Sequence, residues 1–218
     1  MTCRLSFRPR RGTGEATPGD APLGLEDVRD GVLYVPDTVE PDGPVLVLLH
    51  GAGGTGRREL RAVMAAADRY GVVVVAPDSR AVTWDVIVLG GFGADPAFID
   101  RALESAAGRC DADFTRIAVG GISDGASYAL SLGLCNGHLF PAVLAFSPGF
   151  VHPVEPAGKP RVFVSHGVAD PVLPIDVCGR PVVALLRGAG YDVTFREFDG
   201  GHTVPPAVAD EAVRWWVG

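Results

Sequence analysis

A short segment near the middle of the chain combines a strand, a tight turn and a helix. Residues 117–119 are apolar, two glycines follow, and a helix-compatible stretch covers residues 126–134. Between them lies the pattern G-x-S-x-G, with Gly121, Ser123 and Gly125. In this context the pattern is typical of a nucleophile elbow, in which a serine on a strained backbone raises its hydroxyl above the sheet. The flanking positions must be small because strand and helix backbones pass close to them. A glycine-rich turn that merely contains serine gives the same pattern, so the rest of the chain must decide.

Composition favours one folded domain over residues 1–218. The chain has 218 residues, of which 47% are hydrophobic and 21% charged, values that are ordinary for a globular enzyme. The formal net charge is −7, and basic residues cluster only at residues 8–11. An acidic domain is a poor binder of phosphate backbones, so we expect no nucleic-acid partner.

The cysteines and the longest apolar runs bear on location. The first residues contain no apolar leader, which favours a cytoplasmic location. Four cysteines lie far apart without a C-x-x-C pair, so we expect free thiols and no metal site. Apolar runs such as 45–49 and 72–76 are far too short to cross a bilayer, so no membrane span is expected.

Strand-like and helix-like segments alternate along the chain, which predicts an α/β fold with a mostly parallel central sheet and helices on both faces. Residues 1–30 are predicted to hold an edge strand over 4–8 and a loop over 12–30. The further predicted strands cover 32–35, 45–49, 72–76, 115–119, 143–147, 161–165 and 191–198. The predicted helices cover 56–70, with Thr55 as N-cap and Gly71 as its end, 96–109, 126–134, 174–189 and 205–217. The connection 148–160 is short and proline-rich, so no cap domain is expected.

Two more polar residues follow predicted strands in a meaningful order. Asp170 lies just after the strand over 161–165, and His202 lies just after the last strand. With Ser123 they give the chain order Ser, Asp, His, separated by 47 and 32 residues. Either residue alone would be interpreted as structural, but the joint order at strand ends favours catalysis.

The residue types suit nucleophilic acyl transfer. A serine hydroxyl needs a base, so His202 would accept its proton and later return one to the leaving group. Asp170 would fix the tautomer of the imidazole and stabilise the imidazolium. The segment after residues 45–49 is His-Gly-Ala-Gly-Gly-Thr-Gly, in which glycines allow backbone N–H groups to face a developing oxyanion. We expect the backbone N–H groups of Ala52 and Asp124 to be the oxyanion donors.

The loop over 77–95 follows a parallel strand, where ligands bind in open α/β sheets. Its aromatic residues Trp84 and Phe92 either line an apolar substrate pocket or plug the top of the core. Gly53 and Val172 complete the candidate pocket. His50 and His166 each precede a glycine at a strand end, and we interpret both as hydrogen-bonding groups that pin loops.

Taken together, five motifs resemble the α/β-hydrolase superfamily and, within it, the phospholipase/carboxylesterase family of small serine esterases without a cap. They are LLHGAGGTG at 48–56, Trp-Asp at 84–85, GISDG at 121–125, HGVADPVLP at 166–174 and GGHTV at 200–204. The resemblance implies a cofactor-free serine hydrolase of carboxylic esters, thioesters or lysophospholipids. It implies the triad Ser123, Asp170 and His202, with Ala52 and Asp124 as oxyanion donors. One position departs: acyl-protein thioesterases of this family often have Gln after the nucleophile, whereas this chain has Asp124, which places a carboxylate near the oxyanion.

The sequence therefore predicts a serine carboxylesterase for small to medium acyl esters, acting through an acyl-enzyme on a small-molecule ester. The alternatives are a thioesterase or lysophospholipase, a peptidase or polyester depolymerase on the same scaffold, and a non-catalytic hydrolase-like binding protein. Trp215 and Trp216 near the C-terminus either pack in the core or form a subunit contact, which would allow a homodimer.

Overall fold

The apolar runs of the chain form one sheet in the computed structural model, which describes residues 2–15, 17–152 and 154–218. Its strands are β1 (Gly19–Pro22), β2 (Gly31–Val35), β3 (Gly43–Leu49), β4 (Val73–Pro77), β5 (Ala112–Ile122), β6 (Ala142–Phe146), β7 (Arg161–Gly167) and β8 (Val193–Phe198). Their order across the sheet is β1-β2-β4-β3-β5-β6-β7-β8. The strands from β4 to β8 pair in parallel, and β1 and β2 are antiparallel. The carboxyl ends of β3, β5, β7 and β8 therefore meet at one edge.

Helices cover both faces of the sheet, as the sequence predicts. They are α1 (Gly56–Glu59), α2 (Met64–Tyr70), α3 (Asp85–Leu89), α4 (Asp95–Arg109), α5 (Asp124–Cys135), α6 (Gly179–Gly188) and α7 (Pro206–Val217). Apolar residues of α4, α5 and α6 form the core on one face, whereas those of α2 and α7 pack on the other. The central strands are buried on both faces, which explains why their sequences are apolar without alternation.

The predicted strand over residues 4–8 is wrong. Side chains take the backbone N–H groups that a neighbouring strand would otherwise bind: Asp100 accepts from Ser6 and Phe7, and Asn136 accepts from Leu5. Leu5 and Phe7 are buried, so the alternation reflects an extended segment packed on helices. The edge strand is instead β1, within the stretch predicted to be loop.

The helix predicted over 56–70 is divided. A 3-10 turn, Leu60–Ala62, separates α1 from α2. The two predicted ends are confirmed: Thr55 Oγ1 accepts the N–H of Arg58 at 3.3 Å, and Gly71 has a left-handed φ of 63°. At the C-terminus Trp216 is buried in the core of this chain, and the half-buried Trp215 packs against that core with its ring centre 5.6 Å from that of Phe163.

The prediction of four free thiols is half wrong. Cys110 and Cys178 are free and buried, but Cys3 and Cys135 form a disulfide with Cα atoms 6.2 Å apart. Disulfides persist mainly in oxidising compartments, so the cysteines do not support a cytoplasmic location. Among the described residues, the structure has no helix with the length and apolar character needed to cross a bilayer.

Candidate active site

The turn after β5 holds Ser123 in a strained conformation. Its φ is 59° and its ψ −119°, values that non-glycine residues rarely adopt. Its N–H donates to the carbonyl of Phe146 at 2.9 Å. A Cβ on Gly121 would lie 2.2 Å from the carbonyl oxygen of Gly125, and one on Gly125 would lie 2.1 Å from that of Leu49. The glycines thus have the steric role that the G-x-S-x-G pattern predicts.

Asp170 and His202 follow β7 and β8 and contact each other. His202 Nδ1 lies 2.7 Å from Asp170 Oδ2, while Oδ1 accepts the N–H groups of Val172 and Leu173, both at 2.9 Å. Burial acts to raise the pKa of Asp170, but the bonds from His202 and the two N–H groups outweigh it, and the pKa lies below its ordinary value. An ionised Asp170 binds the Nδ1–H tautomer of His202, which leaves Nε2 as a free base.

His166 also touches Asp170. This fully buried side chain has its Nε2 2.7 Å from the carbonyl of Leu173 and 3.3 Å from Asp170 Oδ2. It fixes the loop that presents Asp170, which confirms its predicted loop-pinning role.

The loop after β3 runs beside the nucleophile. A Cβ on Gly51 would lie 3.4 Å from Ser123 Cβ, so the two loops are in van der Waals proximity. Ala52 is exposed, and the N–H of Gly53 donates to the carbonyl of Val82 at 2.9 Å. Asp124 is the first residue of α5, so its N–H has no acceptor within the helix. These backbone positions suit an oxyanion hole.

His50 pins the loop after β3 by hydrogen bonds, as predicted. Its Nδ1 lies 2.7 Å from the carbonyl of Gly51, and its Nε2 accepts the N–H of Ser79 at 3.0 Å. Burial lowers the pKa of His50, and nearby Arg29 lowers it further. A neutral imidazole is the form that can donate with one nitrogen and accept with the other.

The candidate pocket residues fall in different environments. Trp84 is fully buried, stacks 5.0 Å from the ring of Tyr128 and donates from Nε1 to the carbonyl of His50 at 2.8 Å. Of the two sequence interpretations, the structure therefore supports the core plug for Trp84. Phe92 is half-buried against Tyr128 and His152, Gly53 is exposed, and Val172 is 62% exposed. These three lie at accessible positions and can contact a ligand.

Glu59 is a site residue that sequence reasoning missed. From α1 its Oε2 accepts the N–H of Gly51 at 2.9 Å. Burial raises the pKa of Glu59, while the Gly51 N–H, Arg58 and His202 act in the opposite direction, which places the carboxylate within electrostatic reach of His202. A glutamate on a short helix resembles any surface residue, so the sequence contains no signal for this role. Within the described residues no cluster of three or more His, Cys, Asp or Glu side chains could hold a metal ion.

Two aspartates behind Trp84 bind each other's backbone. Asp85 Oδ2 accepts the N–H of Asp95 at 2.9 Å, and Asp95 Oδ2 accepts the N–H of Asp85 at 2.7 Å. Burial raises the pKa of Asp95 to about 6, against the opposing effect of the N–H groups of Arg80 and Asp85. This pair fixes the start of α3 and α4.

We expect the destabilisation caused by Asp95→Asn to grow as the pH falls. An acid whose folded-state pKa exceeds its unfolded value stabilises the fold below the unfolded pKa, and this contribution is lost as the pH rises through about 6. Between pH 8 and pH 5 the wild type should gain about 1 kcal/mol relative to the variant. Urea unfolding of both proteins at the two pH values measures the difference, with exposed Asp192→Asn as a control for the lost charge. An equal cost at both pH values would contradict a raised pKa.

Comparisons with known proteins agree with this fold. No family model matches the chain. Acyl-protein thioesterase 1 of Gibberella zeae is 35% identical over 106 residues, which cover 44% of this chain and 45% of the thioesterase, so less than half of that relative is matched. Feruloyl esterase C of Emericella nidulans is 24% identical over an alignment of 241 residues, with 92% of this chain and 88% of that esterase covered. The crystal structure of esterase PE8 superposes with a TM-score of 0.71 at 25% identity, covering 85% of this chain and 96% of the esterase. The chain therefore has the α/β-hydrolase fold, and it is similar in sequence to an acyl-protein thioesterase and a feruloyl esterase and in structure to an esterase.

Proposed function

We propose that the protein is a serine carboxylesterase that hydrolyses small to medium acyl esters through an acyl-enzyme intermediate. The observation that carries the proposal is the 2.7 Å contact between Asp170 and His202 at the sheet edge that also holds the strained turn of Ser123. Three polar residues from distant parts of the chain share this edge in the order that serine hydrolases use.

Each residue has one chemical role. His202 Nε2 accepts the proton of Ser123 as the hydroxyl oxygen attacks the ester carbonyl, and the alcohol leaves with a proton from the same nitrogen. Water then attacks the acyl-enzyme by the same route and releases the carboxylic acid. Asp170 stabilises the imidazolium in both steps. The backbone N–H groups of Ala52 and Asp124 bind the oxyanion, and loss of one such donor typically costs about 3 kcal/mol.

Accessible apolar side chains support the proposed substrate range. Phe92 is half-buried and Val172 and Phe150 are exposed, which offers apolar contacts to an acyl chain or ring. The described part of residues 147–160, which excludes Pro153, contains no helix that could form a cap. Thioesterase action is the alternative that the first relative favours, since its name includes acyl-protein thioesterase.

The test is pre-steady-state release of p-nitrophenol from acetate, butyrate and octanoate esters, with acetyl-thiocholine as a thioester probe. We expect a burst equal to the enzyme concentration, followed by slower turnover. Fluorophosphonate labelling with peptide mass spectrometry should place the modification on Ser123. Turnover without a burst and without labelling of Ser123 would rule out this acyl-enzyme. Complete inertness would favour the non-catalytic binding protein.

Location and assembly stay predictions. The Cys3–Cys135 disulfide favours an oxidising compartment over the cytoplasmic location that the sequence analysis expects. Trp216 is buried in the core of this chain and Trp215 packs against that core, so Trp216 is not available for a subunit contact. Fractionation of the native host, together with thiol titration of the protein, would identify the compartment. Light scattering would measure the oligomeric state.

A further inference from the structure

Three consecutive residues, 82–84, contact both halves of the proposed oxyanion hole, and we name them the bridging segment. The carbonyl of Val82 accepts the N–H of Gly53 at 2.9 Å, and Trp84 Nε1 donates to the carbonyl of His50 at 2.8 Å. Both contacts hold the loop that contains Ala52. Between them, Thr83 Oγ1 donates to Asp124 Oδ2 at 2.7 Å on the nucleophile side.

The contact between Thr83 and Asp124 lies where it can affect the proposed oxyanion hole. Thr83 is buried, at 6% exposure, and Asp124 is half-buried beside Ser123. A carboxylate at this position would repel a developing oxyanion if its oxygens turned toward the acyl group. A hydrogen bond from a buried hydroxyl holds one oxygen in place and lowers the freedom of the side chain to turn.

We propose that Thr83 is a positioning residue, which acts through Asp124 to set the spacing of the two oxyanion donors and to hold the Asp124 carboxylate away from the substrate. This inference rests on the proposed esterase function. The bridging segment is the link, because the same three residues fix the Ala52 loop through Val82 and Trp84 and fix Asp124 through Thr83. The side chain of Thr83 does not touch the reacting atoms.

Other charged and titratable groups lie on the elements around this contact. His50 interacts electrostatically with Asp124 and also with Arg29 and Asp78. Glu59 on α1 accepts the N–H of Gly51 in the loop after β3. None of these supplies the 2.7 Å contact to Asp124 that Thr83 makes, so the Thr83 hydroxyl is the group to remove.

The test compares Thr83→Val, Thr83→Ser and Thr83→Val/Asp124→Asn with the wild type and with Asp124→Asn. Valine keeps the shape and removes the hydroxyl. We expect kcat for p-nitrophenyl butyrate to fall by about 10- to 100-fold, with a much smaller change in KM, because the lost interaction acts in the transition state. Serine keeps a hydroxyl and should recover most of the loss. The double variant, in which a neutral amide replaces the released carboxylate, should have a higher kcat than Thr83→Val alone, by about fivefold or more.

The chain offers a matched control. Thr115 Oγ1 donates to Asp113 Oδ1 at 2.6 Å in an exposed pair at the other end of β5, so Thr115→Val is the same change outside the site. It should leave kcat unchanged. Rates are normalised to the fraction of enzyme that a fluorophosphonate labels at completion, which corrects for misfolded protein.

The outcomes separate the two proposals. An active wild type with a burst, together with a Thr83→Val variant of equal kcat, would overturn the positioning role and leave the esterase intact. A double variant no better than Thr83→Val would also overturn it, since a purely structural hydroxyl predicts no recovery. A wild type without burst or labelling would remove the esterase function and, with it, this inference.

Discussion

Replacing Ser123 with alanine is expected to abolish the p-nitrophenol burst and to lower kcat by roughly 10⁴- to 10⁶-fold. Ser123 has the strained backbone of the turn, and alanine at this position offers no oxygen to form the acyl bond. Some acceleration over the uncatalysed reaction should remain, because the oxyanion donors of Ala52 and Asp124 are backbone groups that the substitution does not remove.

Ser105→Ala is the matched control for this experiment. Ser105 lies on α4, and its Oγ makes a hydrogen bond of 3.3 Å to the carbonyl of Leu23, away from the sheet edge. It should keep the full burst and wild-type kcat. A Ser123→Ala variant that retains more than about one hundredth of the wild-type kcat would exclude Ser123 as the nucleophile.

Gly125→Ala is expected to have the largest effect on stability. The added Cβ would lie 2.1 Å from the carbonyl oxygen of Leu49 and 2.6 Å from that of His50, both backbone atoms of the fixed β3 end. Neither atom can move without displacing the central strand, so the loss should exceed about 4 kcal/mol, which is exceptional for one methyl group. We expect little soluble protein and a marked fall in the urea midpoint of any that is recovered.

Gly108→Ala adds the same methyl group where it has room. Gly108 lies on α4, is exposed, and has no atom within 4 Å of the new Cβ. Because alanine favours helix over glycine, this variant should gain about 0.5–1 kcal/mol. Urea unfolding of both variants measures the contrast. A Gly125→Ala protein with a wild-type midpoint would mean that helix α5 does not approach β3 as the structure shows.

Sequence reasoning succeeded where local chemistry and chain order both apply. Backbone contacts require glycine at two positions of the elbow, and parallel strands that are buried on both faces require apolar runs. These two signals made the α/β-hydrolase fold predictable. The proximity of Asp170 and His202 follows from the rule that carboxyl ends of parallel strands share an edge. Thr55 and Gly71 carry end signals that do not depend on distant parts of the chain.

The features that the sequence analysis predicted wrongly or missed depend on contacts between residues that are distant in the chain. Residues 4–8 alternate like a strand, but whether Asp100 and Asn136 would bind their N–H groups cannot be read from the alternation. Cys3 and Cys135 are separated by 132 positions, and no spacing rule pairs two cysteines at that distance. Thr83 and Glu59 gain their roles only because folding places them against Asp124 and Gly51, and neither lies in a recognisable motif.

The disulfide also constrains the order in which the chain can reach its native state. Leu5 binds Asn136, and Cys3 bonds Cys135, so neither contact can form before the end of α5 exists. During synthesis from the N-terminus, the first residues must therefore wait while the chain up to α5 emerges. The first residues are therefore fixed only once α5 has been made, at the end of that helix opposite to Ser123.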